Sequence, residues 1–186
     1  MNRRSFLFCL GAMSACAMFN RPALAAGNSI LVTYFSATGT TKAVAEAMAR
    51  TFGADLYAIT PEKAYTNADL DWHDKTSRSS IEMADGKSRP KLAGPLPDMG
   101  KYGTVFIGYP IWWGIAPRIV QTFVEQCDFK GKKVIPFCTS GSSPFAGSAD
   151  LLSAAASGAE WLPGKRLDSR AGSEELAAWA KELGVK

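Results

Sequence analysis

The chain has 186 residues, 47% of them hydrophobic and 20% charged, with a formal net charge of +4. Three basic residues, Arg3, Arg4 and Arg21, fall in residues 1–26, which hold no acidic residue, so residues 27–186 carry only +1. That remainder is long enough for one domain with a sizeable core, and it lacks an internal repeat, a linker to a second domain, and the basic stripe that would argue for nucleic acid.

Residues 1–26 read as an export signal. A basic start at Arg3 and Arg4 precedes an apolar run from Phe6 to Phe19, and Ala23, Leu24 and Ala25 form a small-x-small cleavage site. The run is too short and too weakly apolar for a membrane-spanning helix. Arg3 and Arg4 followed by Ser5, Phe6 and Leu7 resemble the twin-arginine type of signal, which addresses folded proteins. An ordinary secretory signal is one alternative. A lipid anchor at Cys16 is another, weakened by Met13 at the head of its motif. The expected destination is the periplasm or another extracytoplasmic space, and the expected domain is residues 27–186.

Strands and helices then alternate. Ile30 to Phe35 is a continuous apolar run, suited to a strand buried on both faces of a parallel sheet. A helix follows from Thr40 to Phe52, with Val44, Ala45, Met48, Ala49 and Phe52 on one face and Gly53 closing it. Asp55 to Thr60 reads as a second strand. Pro61 to Met99 is a long polar segment with a helix predicted over Asp69 to Met83, and its length at the ligand end of a sheet suits a lid. Thr104 to Tyr109 is a third strand, and Pro117 opens a helix that turns Ile119, Val120, Phe123 and Val124 inward. Lys133 to Cys138, Gly147 to Ala156 and Ala159 to Leu162 read as strand, helix and strand. A last helix, Ser173 to Leu183, has Ser173 as its cap and Leu176, Trp179, Ala180 and Leu183 as its buried stripe. The expectation is a doubly wound α/β fold with a five-stranded parallel sheet.

Beyond residue 26 only Cys127 and Cys138 remain. They stand at opposite ends of the fourth strand, roughly 17 Å apart at about 3.3 Å per residue, so two unpaired thiols are expected.

In such a sheet the ligand lies outside the carboxyl ends of the strands, where strand order reverses. The loop after the first strand, Ser36, Ala37, Thr38, Gly39, Thr40 and Thr41, is built of hydroxyls and small residues and opens a helix, the composition of a phosphate cradle. The loop after the third, Pro110, Ile111, Trp112, Trp113 and Gly114, places two indoles where a flat ring would stack. The loop after the fourth, Thr139, Ser140, Gly141 and Ser142, offers hydroxyls and open backbone. No G-x-G-x-x-G, G-K-[ST] or G-x-S-x-G motif is present, and one histidine with two separated cysteines makes a poor metal site. His73 reads as a solvated loop residue, and Tyr65 and Arg78 as groups able to reach over a ligand.

The forms Y-F-S-A-T-G-T-T, G-Y-P-I-W-W-G and P-F-C-T-S-G-S-S resemble the small FMN-binding branch of the flavodoxin family. The resemblance covers nearly all of residues 27–186 and implies strand order 2-1-3-4-5 and FMN as a noncovalent cofactor. Its phosphate would lie on Ser36 to Thr41, and its ring between Pro110 to Gly114 and Thr139 to Ser142. The implied function is electron transfer to a partner protein, or reduction of a quinone or other small molecule. A binding module that has lost its flavin is the non-enzyme alternative, and a second subunit covering the tryptophans is also compatible. Unlike the electron carriers, this chain follows its aromatic loop with Gly114, Ile115, Ala116 and Pro117, with no acidic residue there. A less strongly reducing flavin is therefore expected.

Overall fold

A computed structural model describes residues 29–145 and 147–185. The predicted signal, residues 1–26, lies outside them. Strands β1 (Ser29–Tyr34), β2 (Asp55–Ala58), β3 (Tyr102–Pro110) and β4 (Lys133–Thr139) are all parallel, as are two short edge strands, β5 (Glu160–Trp161) and β6 (Lys165–Arg166). The order is β2-β1-β3-β4-β5, as expected, with β6 also paired to β4.

The strand side chains alternate between two buried faces. Leu31, Val105, Ile107 and Val134 join a core under α3 (Arg118–Gln126) and α4 (Ser148–Ala155). Ile30, Val32, Phe106 and Ile135 join the opposite core under α1 (Thr40–Phe52) and α5 (Ser173–Glu182). This two-sided burial is why β1, β3 and β4 read as unbroken apolar runs. Helix α1 buries Val44, Ala45, Met48 and Ala49, and left-handed Gly53 ends it by donating to the Ala49 carbonyl.

Where sequence and structure differ, backbone hydrogen bonding gives the reason. The edge strand is split because the carbonyls of Lys132, Val134 and Cys138 face it, accepting from Glu160, Leu162 and Leu167. Pro136 faces the same way and has no N–H to give, and the edge breaks opposite it, at Pro163 and Gly164. The helix predicted over Asp69 to Met83 is reduced to α2 (Arg78–Ala84). Upstream of it side chains capture the backbone: Asp71 accepts from the His73 N–H, Asp74 from the Thr76 N–H, and Ser77 caps α2 by accepting from Ser80. In α5 the cap position belongs to Gly172, and Ser173 is already helical. β2 ends at Ala58, two residues before the predicted Thr60.

The long segment is a closed excursion. Its ends are zipped where Glu62 donates to Lys91 and Ala93 to Thr60, and Arg118, buried at the start of α3, donates to the Met83 carbonyl at the end of α2.

Candidate functional site

The loop from β1 to α1 is folded on itself by a 3.1 Å bond in which the Gly39 N–H donates to the Ser36 hydroxyl. Gly39 is left-handed (φ 94°), and a Cβ there would meet only open space, so backbone can approach a ligand closely. No side chain caps α1 and its first turn holds no acidic residue. Its first N–H groups therefore lack intrahelical partners and face outward with the positive end of the helix dipole. Thr38 and Thr40 are exposed beside them. Thr41 is buried, and its hydroxyl lies 2.8 Å from that of buried Thr139, tying the first loop to the third.

A cavity of about 540 Å³ opens on this loop, with Ser36, Ala37, Thr38, Thr40 and Thr41 along one side. Pro110, Ile111 and Trp112 form a second side, and Thr139, Ser140 and Gly141 a third. The three loops singled out from sequence therefore share one cavity. A neighbouring cavity of about 460 Å³ shares Ile111, Trp112, Ser140 and Gly141 and adds Trp113 and Ser142. Gly39 and Gly114 shape the loops without lining either cavity.

The two tryptophans differ. Trp112 is half-buried, with Phe35 and Tyr65 packed edge-on against it at 5.5 and 5.3 Å. Tyr65 is fixed in turn: its hydroxyl donates to Glu82, and Arg78 lies 4.1 Å over its ring while pairing with Glu82 at 2.7 Å. Burial, with the Glu82 hydrogen bond, pushes the Tyr65 phenol well above its usual range. Tyr65 therefore buttresses Trp112, with Arg78 over it. Trp113 is 50% exposed at the tip of a tight turn closed by reciprocal Trp112 and Ile115 backbone bonds of 2.9 and 3.1 Å. Trp113 and Gly114 both have positive φ, 48° and 83°. Glycine accepts that freely, whereas for an indole-bearing residue it costs about 1–2 kcal/mol.

Sequence reasoning missed two contributors. Leu70 borders both cavities, while Trp72 and Ser79 border the second, all from the long segment. Leu167, Asp168 and Ser169, following β6, border the first. Asp168 accepts from the Arg170 N–H at 2.9 Å, which holds its carboxyl below the usual range. An ionised carboxylate is acceptor-only, so it suits a ligand's hydroxyls and repels its phosphate. A two-residue strand carries no periodicity, and without β6 nothing in the sequence ties Asp168 to the cradle. His73 packs on Trp72, ring centroids 3.5 Å apart. Cys127 and Cys138 are unpaired, and burial pushes both thiols up to about 12. Among the described residues no His, Cys, Asp and Glu cluster is arranged to hold a metal, and no helix is long and apolar enough to cross a membrane.

Fold and site together define a doubly wound α/β protein whose strand-end cavity runs from an uncapped helix N-terminus to an indole. The family model described as flavodoxin matches residues 29–183, and the chain belongs to the flavodoxin family. Among solved structures, a provisionally assigned flavoprotein from Bacteroides eggerthii is 48% identical, with a TM-score of 0.81 over 85% of this chain and 99% of its own. A second, from Bacteroides uniformis, is 50% identical with a TM-score of 0.79, covering 83% and 99%. A flavoprotein from Lactobacillus acidophilus, solved in complex with FMN, shares the fold at 21% identity and a TM-score of 0.64, covering 82% and 98%. No curated protein matches the chain.

Proposed function

We propose that this is an exported FMN-binding protein of the flavodoxin family that transfers electrons through a noncovalently held flavin. The observation that carries the reading is the single cavity joining the uncapped N-terminus of α1 to the indole of Trp112. A phosphate and a flat ring on one flexible chain match those two ends, and family membership supports the same ligand. The Lactobacillus acidophilus relative, solved with FMN, adds to that support.

The donor set fits the group. Ser36, Thr38, Thr40 and Thr41 would supply hydroxyls, and the backbone of Ala37, Thr38, Thr40 and Thr41 N–H groups, for a phosphate at a positive helix end. Thr139 fixes the Thr41 hydroxyl by the bond between them. Asp168 and Ser169 would take the hydroxyls of a ribityl chain. Pro110, Ile111, Trp112, Trp113 and Gly114 would form one side of the ring site, and Ser140, Gly141 and Ser142 its polar edge. When bound, FMN supplies reversible electron acceptance at its isoalloxazine. Residues 114–117 bring no carboxylate to the ring end, and Asp168 borders only the cradle cavity. A less strongly reducing flavin than that of the acidic electron carriers follows, and a redox titration giving an equally low potential would contradict it.

The export half of the proposal rests on residues 1–26, with residues 27–186 as the functional domain. A twin-arginine-like signal suits a protein that folds around its cofactor before leaving the cytoplasm, so flavin binding would gate export. A Thr40 substitution that abolishes flavin binding and leaves export unchanged would count against that gate. The electron-transfer partner is a redox protein or a small molecule, and the charge-free second cavity favours the small molecule. The absorption spectrum of the purified protein tests the flavin reading: flavin bands, present as isolated or after FMN is added, are expected. Their absence in both cases would favour a flavin-free binding module.

A further inference from the structure

Arg118 opens α3 as a buried cation. Its Nη1 donates to the Gln121 side-chain oxygen at 2.9 Å and its Nη2 to the Met83 carbonyl at 3.1 Å, while its Nε has no hydrogen-bond partner. Both acceptors are neutral, and among the described residues no carboxylate forms an ion pair with it. The carboxylates of the elements packed around it are engaged elsewhere. Glu82 of α2 pairs with Arg78, Glu125 of α3 pairs with Arg89, and exposed Asp85 accepts from the Lys87 N–H. A buried arginine is ordinarily paired with an opposite charge. The carbonyl end of α2 offsets about half a charge at most. A net positive charge therefore stays inside the protein.

The surroundings place that charge behind the ring end of the site. Met83, which takes the Nη2 bond, follows Ser79 on the buried face of α2, one turn or about 6 Å along the helix axis. Ser79 borders the second cavity beside Trp112 and Trp113. From the other side, Arg118 continues the chain that leaves Gly114 through buried Ala116. Ser79, Met83, Ala116 and Ile119 are all buried, so little water screens the charge across this layer. A flavin ring is neutral when oxidised and carries one negative charge after taking up two electrons and one proton. A nearby cation therefore favours the reduced ring and leaves the oxidised one almost unaffected.

We propose that Arg118 sets the potential of the bound flavin, raising it by holding an uncompensated positive charge behind the ring. Arg118 lines neither cavity, so it acts through space and not by contact. The proposal deepens the flavin reading and rests on it. The test combines two measurements on the full chain. Calorimetry gives the affinity for oxidised FMN. An anaerobic titration with dithionite against a reference dye, in mildly alkaline buffer, gives the potentials of bound and free FMN. Their difference fixes the ratio of reduced to oxidised affinity by linkage. Arg118→Gln should lower that ratio about threefold to tenfold, with the affinity for oxidised FMN held within about twofold. Arg118→Lys keeps the charge and should keep the ratio within about twofold. Gln121→Glu sets a carboxylate against Nη1, cancels the charge in place and should lower the ratio about as much as Arg118→Gln. A purely structural role would weaken both redox states alike and leave the ratio unchanged. The proposal is overturned by an unchanged ratio in Gln121→Glu or in folded Arg118→Gln, or by a ratio in Arg118→Lys as low as in Arg118→Gln. If Arg118→Gln does not fold, Gln121→Glu decides alone. Failure of the flavin reading is visible separately, as no FMN uptake by the unaltered protein.

Discussion

Gly108 shows how tightly single residues hold this site's scaffold. It lies on β3 opposite Phe137, and a Cβ there would stand 2.1 Å from the Phe137 ring. That glycine lets the aromatic lie flat across the sheet two residues before Pro110. Gly108→Ala should therefore lower stability by about 1–3 kcal/mol, read as a lower urea midpoint, and an unchanged midpoint would refute the close approach. The thiols give a second residue-scale prediction. Both have pKa values raised to about 12 by burial, so the folded state favours their neutral form. Their contribution to stability is complete below the ordinary thiol range near 9 and is lost as pH rises through about 12. Below pH 9, iodoacetamide should label the native protein far more slowly than the urea-unfolded one, by mass spectrometry; equal rates would contradict the burial.

Among the elements, the long segment departs furthest from expectation and adds most to the site. The segment expected to serve as a lid forms a wall of the site: Tyr65 packs against Trp112, Leu70 and Trp72 border the cavities, and Arg118 donates to the end of α2. Arg118 is 8% exposed and hydrogen-bonds to Met83 and Gln121, so its charge also complements the negative end of α2. Arg118→Ala should cost about 1–3 kcal/mol and expose residues 61–99 to limited proteolysis before the sheet is cut. Simultaneous loss of both would show that the segment is no separate unit. Elements legible in the sequence were those whose signal is local. β1, β3 and β4 are runs buried on both faces, α1 has its stripe and Gly53, and the three loops were placed by the strands before them. The shortened α2 was not legible, because Asp71, Asp74 and Ser77 divert a helical pattern by side-chain bonds. Neither were β6 and Asp168, because they depend on a gap that Pro136 leaves on a neighbouring strand. Leu70 and Trp72 reach the cavities through non-local packing that no spacing encodes.

At the scale of the whole molecule, the parallel sheet carries three loops to one edge, and the proposed function assigns the two ends of that edge to two kinds of recognition. The cradle end presents hydroxyls and helix N–H groups without a competing acid in the first turn of α1. The indole end presents surfaces for flat rings and no ionisable group in the second cavity. A ligand bound mainly through its phosphate is distinguished from one bound mainly through its ring by removing the phosphate alone. The most direct measurement is therefore a pair of titrations of the flavin-free protein, with FMN and with riboflavin. FMN should bind one to one and riboflavin at least about a hundredfold more weakly, since a phosphate held by several charge-assisted hydrogen bonds is worth more than about 2.7 kcal/mol. No FMN binding, or equal affinity for the two, would contradict the phosphate cradle at Ser36 to Thr41.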